Sequence, residues 1–421
     1  MNKISRRKLI QRLAILPFPL TSGFWSKNSF AAVNPDIFFL TIQTNGAWDV
    51  TVFCDPKENT AGEKEITTWS KKDETREIGN LQYAPFAKNK EFFEKYYNDM
   101  LVVNGVDAQT NSHTVGVTNN WSGRTAAGYP SLPTLFSSVY GTNYPLPYIS
   151  FGGAYSYTAN QVSPAIIGNP ASIKELLLPN INGWDGNKKV DSTLWKLIQA
   201  ENIASIQAAS EKSMNFESQK RRLEYIEAFG NSEKLATLGY KLPESNELNI
   251  LPALQQQIIT ALSAFSANTT ITADISHNGY DTHENNDNQQ AQLLSELVTA
   301  IDFMWEQAEI LGIADKLFVM IGSDFGRTPY YNANKGKDHW NVGSYIFMKK
   351  NASFTNQVIG KTDALHNAMG LSSKILQPDD SSETIKPIHV HSAVRDYLGV
   401  IGTKVDLMFP LGPHNKYNIF G

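Results

Sequence analysis

The sequence of 421 residues contains a single cysteine, Cys54, so no disulfide can form within one copy of the chain, even in an oxidising compartment. It also lacks a run of roughly eighteen uncharged apolar residues, the length that a membrane-spanning helix needs. The most apolar early stretch, Ala14 to Leu20, is short and contains two prolines. We therefore expect no stable membrane span, and 41% hydrophobic residues are enough for a globular core.

Beyond residue 32 the chain also lacks an excess of basic residues. The first 32 residues contain six lysines and arginines and no acidic residue, so removing them changes the formal charge from -4 to -10. Nucleic-acid binding requires clustered positive charge. An acidic protein of this kind is therefore not expected to have a nucleic-acid partner.

The first 32 residues have the order of an export signal. The pair Arg6-Arg7 is followed by the modestly apolar segment Leu13 to Leu20, and then by the small residues of Ser29-Phe30-Ala31. This order predicts a twin-arginine signal peptide at 1–32, with the twin-arginine translocase as a partner during export and a periplasmic or exported location. The alternative, an ordinary basic amphipathic helix, is disfavoured because two prolines interrupt the apolar segment.

The run Cys54-Asp55-Pro56-Lys57 invites comparison with sulfatases, in which such a cysteine is converted to formylglycine. That motif has an arginine where this chain has Glu58. The sequence therefore favours Cys54 as a small residue packed behind the first strand.

Short apolar runs rich in β-branched residues predict buried strands. They are Ile37 to Ile42, Leu101 to Val103, Thr270 to Ile275, Leu317 to Ile321 and Tyr345 to Met348. Because their hydrophobicity is continuous rather than alternating, we expect a mostly parallel sheet covered on both faces. Apolar residues at helical spacing before Leu317 predict one long crossover helix.

A change of composition predicts a helical insertion at about 172–245, within a single α/β domain at 33–421. This segment is rich in Glu, Lys, Gln and Ala. Its edges are marked by proline and glycine.

The most suggestive polar residues follow the ends of the predicted strands. They are Asp49, the trio Ser112, His113 and Thr114, the pair Asp281 and His283, and Asp324. A further pair, Asp338 and His339, precedes the last predicted strand, and Arg327 is a weaker candidate that suits either an anionic substrate or a structural ion pair. The carboxyl ends of parallel strands face one crevice, so residues distant in sequence can converge there. Aspartates and histidines are ligands for zinc, or for a harder cation where carboxylates dominate. Each residue taken alone also suits a turn, a helix cap or a surface ion pair.

Four segments resemble, in order, motifs of the family known as domain of unknown function 1501, which is grouped with alkaline phosphatases, sulfatases and phosphoglycerate mutases. Asn45 to Asp49, and Asn111 to His113 with Trp121 to Gly123, are loose matches, whereas Gly279 to His283 and Ser323 to His339 are specific. The resemblance covers about Asp36 to Pro410. It implies an alkaline-phosphatase-like α/β fold, with a mostly parallel sheet between helices.

The resemblance also implies a metal site and a catalytic group. The resemblance implies one or two divalent ions, most simply zinc. Asp281, His283 and His339 are the implied ligands of one ion, and Asp49 and Asp324 are those of the other. The implied catalytic residues are Ser112 or Thr114 as the nucleophile, with His113 beside them and Arg327 facing a small anionic substrate.

Phe325 departs from the phosphatase pattern, in which a histidine follows the second-site aspartate. Two hypotheses follow. The protein is either a periplasmic metal-dependent hydrolase or transferase of phosphate, sulfate or related esters, or a non-catalytic binding or assembly protein of the cell envelope on the same scaffold.

Overall fold

The computed structural model describes residues 36–152, 157–178, 192–211, 222 and 231–421. The signal peptide predicted at 1–32 lies outside these residues. Much of the insertion predicted at 172–245 also lies outside them. The described residues belong to one compact unit, Asn34–Gly421.

The strands are numbered in chain order. They are β1 (Phe38–Asn45), β2 (Arg76–Ile78), β3 (Leu81–Tyr83), β4 (Met100–Asp107), β5 (Tyr148–Ser150), β6 (Ala165–Ile166), β7 (Thr272–Asn278), β8 (Leu317–Ser323), β9 (Gly326–Arg327), β10 (His339–Trp340), β11 (Val342–Met348) and β12 (Gln357–Ile359). Each of the five predicted apolar runs lies in one of these strands, although the first begins one residue and the third two residues before it.

The helices are numbered in the same way. They are α1 (Asn89–Tyr96), α2 (His113–Ser122), α3 (Leu132–Tyr140), α4 (Ile173–Leu177), α5 (Ser192–Glu211), α6 (Ser245–Ile250), α7 (Ala253–Ser266), α8 (Asn286–Ile310), α9 (Pro387–Tyr397) and α10 (Lys404–Met408). Residues 231–241 are also helical. The long crossover helix predicted before Leu317 is α8. No helix of the described part is long and apolar enough to cross a membrane.

One eight-stranded sheet organises the fold, in the order β12-β4-β11-β8-β1-β7-β5-β6. Every neighbouring pair is parallel except those made by β11, which runs antiparallel to β4 and β8. The predicted α/β class with a mostly parallel sheet between helices is confirmed. The direction of β11 was not predictable, because a strand buried on both faces has the same continuous hydrophobicity in either orientation.

The sheet has a hydrophobic core on each face. Along β1, Leu40 contributes to the core beneath α7 and α8, whereas its neighbour Phe39 contributes to the core beneath α3 and α9. Both side chains are buried because successive residues of a strand point to opposite faces. This burial explains why the strands are continuously apolar.

The parallel strands end on the same side of the sheet, and their following loops meet there. Gly46, just after β1, has φ of +108°, and a Cβ at this position would lie 2.4 Å from the amide nitrogen of Asp281. Only glycine fits such a close approach at positive φ. The loops after β1 and β7 are therefore in direct backbone contact.

Candidate metal centre

Three histidine side chains converge on one carboxylate oxygen at this end of the sheet. The Nε2 atoms of His283, His339 and His113 lie 3.0, 3.3 and 3.4 Å from Oδ1 of Asp281. His283 Nε2 is also 3.1 Å from His339 Nε2. The four side chains come from three separate places in the sequence: the start of α2, the loop after β7, and β10.

The second ring nitrogen of each histidine is held by an oxygen. Nδ1 of His113 contacts Asp324 Oδ2 at 2.5 Å, and Nδ1 of His283 contacts Asp338 Oδ1 at 2.9 Å. Nδ1 of His339 is 2.8 Å from the backbone carbonyl oxygen of Asn111. Because a carbonyl or a carboxylate can only accept, Nδ1 is the protonated nitrogen in each neutral ring. The three Nε2 atoms therefore present lone pairs to one another and to Asp281.

Such an arrangement fits a divalent cation. The Nε2 atoms of His283 and His339 are 3.1 Å apart. Two lone pairs at this distance repel each other unless a proton or a cation lies between the two nitrogens. His113 Nε2 is buried and has no hydrogen-bond partner among the described residues. Ligand atoms of His113, Asp281 and His339 all lie within 4.8 Å of one another, and His283 adjoins this trio at 3.0 Å from Asp281 and 3.1 Å from His339 without being within that distance of all three. Three imidazole nitrogens and one carboxylate are a donor set that zinc favours, and oxygen acceptors at Nδ1 are the usual outer partners of metal-bound histidines.

Charges around the cluster hold its carboxylates ionised. Burial acts to raise the pKa of Asp281, but the hydrogen bond at 2.6 Å from Arg327 and its charge outweigh it and lower the pKa to about 2. The hydrogen bond from His283 lowers the pKa of Asp338. The hydrogen bond to Asp324 raises the pKa of His113, against the effect of burial. A cation at His113 therefore competes with a proton.

Asp324 positions His113, and both of its carboxylate oxygens already have hydrogen-bond partners within the protein. Its carboxylate is buried and also accepts hydrogen bonds from Gln43 Nε2 at 2.9 Å and from the backbone amides of Gly46 and Ala47 at 3.1 and 3.3 Å. The end of β8 and the turn after β1 are thus tied to the first residue of α2.

Phe325 packs against two of the histidine rings. Its ring centroid is 4.9 Å from that of His113, in a stacked arrangement, and 4.9 Å from that of His339. Gly116 allows α2 to lie this close to the end of β8, because a Cβ at position 116 would be only 2.6 Å from the backbone carbonyl oxygen of Asp324. The residue that departs from the phosphatase pattern therefore serves as an apolar support for the imidazoles.

Asp49, predicted as a metal ligand, is bound elsewhere. Its carboxylate is fully buried and forms an ion pair of 2.8 Å with Lys337, which is also fully buried. Asn286 and Thr51 donate to the same carboxylate at 2.9 and 2.6 Å. Burial opposes ionisation of Asp49, but the charge of Lys337 outweighs it and lowers the pKa. Asp49 is not among the ligand atoms that cluster with Asp281.

Arg327, predicted to face an anionic substrate, is a buried clamp. It is fully buried, and it donates to the backbone carbonyls of Gly46, Ala47 and Lys337 as well as to Asp281. These bonds hold the loop after β1 beside Asp281 and the three histidines. The guanidinium group therefore does not face the cleft.

An open cleft of about 790 Å³ borders the cluster. Thr114, on the first turn of α2, lines this cleft together with His113 and Asp281, whereas Ser112 is exposed and does not line it. The described residues that line the cleft include no lysine or arginine.

The sequence interpretation did not assign roles to three groups of this site. They are the carboxylate of Asp338, the carbonyl of Asn111 and the ammonium group of Lys337. Only Asp338 had a signal, its adjacency to His339. Nothing in a sequence marks a backbone carbonyl as a histidine partner.

Comparison with known proteins agrees with the sequence motifs. The family model described as protein of unknown function (DUF1501) matches residues 187–384. This match confirms the predicted family over that part of the chain. Both specific motifs, at 279–283 and 323–339, lie inside the DUF1501 segment. No curated protein matches the sequence.

Several solved structures are similar over most of the chain at low identity. The lipoteichoic acid synthase LtaP from Listeria monocytogenes is 9% identical, with 92% of this chain and 76% of that chain covered and a TM-score of 0.39. The phosphonate monoester hydrolase from Silicibacter pomeroyi is 10% identical, with 90% and 78% covered and a TM-score of 0.32. A TAB5 alkaline phosphatase mutant with Mg bound in its M3 site is 8% identical, with 75% and 90% covered and a TM-score of 0.31. Likeness at this level carries no information about the activity of this chain.

Proposed function

We propose that the protein is a periplasmic, metal-dependent hydrolase or transferase of phosphate, sulfate or related esters. One observation carries the proposal: three imidazole Nε2 atoms lie within 3.4 Å of Asp281 Oδ1, each ring being oriented by an oxygen at its other nitrogen. The resemblance of the motifs to the phosphatase and sulfatase group supports the choice of ester substrates.

His113, His283, His339 and Asp281 would hold a divalent cation, most simply zinc. A bound cation would stabilise negative charge on an ester oxygen. The residues behind the ligands keep the rings in position: Asp324 and Asp338 accept from His113 and His283. Because these rings are already oriented by other groups, the site needs little rearrangement to bind a cation.

Thr114 is the hydroxyl group that we place at the reaction. It is exposed to the cleft, one residue after His113, at the helix start where the family resemblance expects a nucleophile. Backbone N–H groups at the start of a helix also favour an anion. Thr114→Val keeps the shape of the side chain and removes the hydroxyl, so we expect loss of ester cleavage without loss of metal. Ser112→Ala is the matched control and should retain activity.

A twin-arginine signal fits a protein that acquires its metal before export, since this pathway carries folded proteins. A metal bound in the cytoplasm would be retained because it stabilises the folded state.

A non-catalytic envelope protein is the second candidate. The observation that favours it is the absence of lysine and arginine from the described lining of the cleft, together with the complete burial of Arg327. On this hypothesis the metal would be structural, and the cleft would bind a partner without cleaving it.

Metal analysis and turnover separate the two hypotheses. The full chain, purified without chelator, is analysed for zinc and other divalent metals by mass spectrometry and assayed on p-nitrophenyl phosphate and p-nitrophenyl sulfate. Bound metal with turnover that Thr114→Val abolishes supports the enzyme. Bound metal without turnover of either ester supports the binding protein, and absence of metal contradicts the proposed site.

A further inference from the structure

We propose that the site holds a single divalent cation, and that the ammonium group of Lys337 supplies at Asp49 the positive charge that a second cation would supply. This inference rests on the proposed function and specifies its metal content. It differs from the two-metal arrangement that the resemblance to phosphatases implies, in which Asp49 and Asp324 would serve a second ion.

Both oxygens of Asp49 already have partners inside the protein. Oδ2 is 2.8 Å from Lys337 Nζ and 2.9 Å from Asn286 Nδ2, while Oδ1 accepts from the backbone and the hydroxyl of Thr51 at 3.1 and 2.6 Å. No part of this carboxylate is exposed. A cation could bind Asp49 only by displacing a buried ammonium group that has the same sign.

Lys337 is held on several sides. Besides Asp49, its Nζ donates to Thr51 Oγ1 at 2.9 Å and lies 5.1 Å from the centre of the Tyr331 ring, within reach of a cation–π contact. Its backbone amide donates to the carbonyl of Thr282 at 3.0 Å, in the loop that bears Asp281. Removing the lysine charge would leave Asp49 buried without compensation, which is strongly unfavourable.

The other residues expected at a second ion are also unsuitable. The oxygens of Asp324 accept from Gln43, from two backbone amides and from His113. Phe325 has no atom that could bind a metal, and its ring packs on His113 and His339, two of the histidines around Asp281. By contrast, His113 Nε2, beside Asp281, is buried and lacks a hydrogen-bond partner among the described residues. The donor atoms thus favour one ion, at Asp281.

The test is a metal count. The full chain is stripped with chelator, incubated with excess Zn²⁺, passed through a desalting column and analysed for zinc and protein by mass spectrometry and absorbance. We expect one equivalent of zinc. Two equivalents would overturn the inference and leave the proposed function intact, whereas no bound zinc would overturn both.

Two variants locate the ion. Asp49→Asn should retain one equivalent, because Asp49 is not a ligand; a lower count in a folded variant would contradict the inference. His339→Ala is the positive control and should lose the bound zinc. Circular dichroism confirms folding, and if Asp49→Asn does not fold, the count for the unsubstituted protein decides.

Discussion

Asp274, in the middle of β7, provides the sharpest test of the electrostatics of the core. It is fully buried, and neither of its carboxylate oxygens has a hydrogen-bond partner among the described residues. Burial raises its pKa from 3.8 to about 7, and the nearby side chains of Ser150 and Tyr148, which lie outside hydrogen-bonding geometry, oppose this rise less strongly. The carboxyl group is therefore neutral in the folded protein at mildly acidic pH.

The sign of the pH dependence follows from this rise. Between pH 4 and pH 7 the folded state retains a proton that the unfolded state has lost, so the free energy of unfolding falls as pH rises. At ~1.4 kcal/mol for each pKa unit, the loss is at most about 4 kcal/mol and is complete above pH 7. About 3 kcal/mol of this loss in the free energy of unfolding occurs between pH 5 and pH 8.

Asp274→Asn removes the titrating group with little change in shape. We expect the stability of this variant, relative to the parent, to increase by about 3 kcal/mol from pH 5 to pH 8, as measured by urea unfolding followed by tryptophan fluorescence. Asp315→Asn, on the surface, controls for the loss of one carboxyl group elsewhere. A stability difference for Asp274→Asn that does not change with pH would refute the reasoning that burial keeps this group neutral.

Three further predictions concern the metal centre and export. His339→Ala should lower both the bound metal and the melting temperature, because metal that binds only the folded state stabilises it. His277→Ala is the control and should leave the metal content unchanged. Equal metal content in the two variants would exclude this site. Gly116→Ala should force α2 away from the end of β8, costing about 1–3 kcal/mol in thermal unfolding and weakening zinc affinity, and an unchanged affinity would show that the close approach is not needed. Replacing Arg6 and Arg7 by lysine should leave the protein in the cytoplasm on cell fractionation, since the export pathway distinguishes guanidinium groups from ammonium groups; undiminished periplasmic protein would indicate another route.

Much of the fold was predictable from local pattern. The apolar runs at Ile37, Thr270 and Leu317 became central parallel strands because burial on both faces requires continuous hydrophobicity. The antiparallel direction of β11 left no such mark, since the same residues are buried in either orientation. Local pattern thus determined which segments are strands, and pairing determined their direction.

For the candidate site, the sequence indicated several of the residues but not what each of them contacts. Asp281, His283, Asp324 and His339 could be selected because each lies in a specific motif, and the first three also follow a strand end. Their roles could not be assigned: Asp324 holds His113, and Asp49 pairs with Lys337, 288 positions later in the chain. No spacing rule connects residues so far apart, because their distance depends on how the loops pack.

The sequence by itself indicated the resemblance to the DUF1501 family, the class of fold, the acidic composition and the residue types available for a metal. Only the tertiary structure decided which nitrogen of each histidine faces Asp281, because the tautomer depends on an oxygen contributed by a different part of the chain. It also decided that Arg327 is buried and does not bind an anion in the cleft, because its guanidinium N–H groups donate to the backbone carbonyls of Gly46, Ala47 and Lys337.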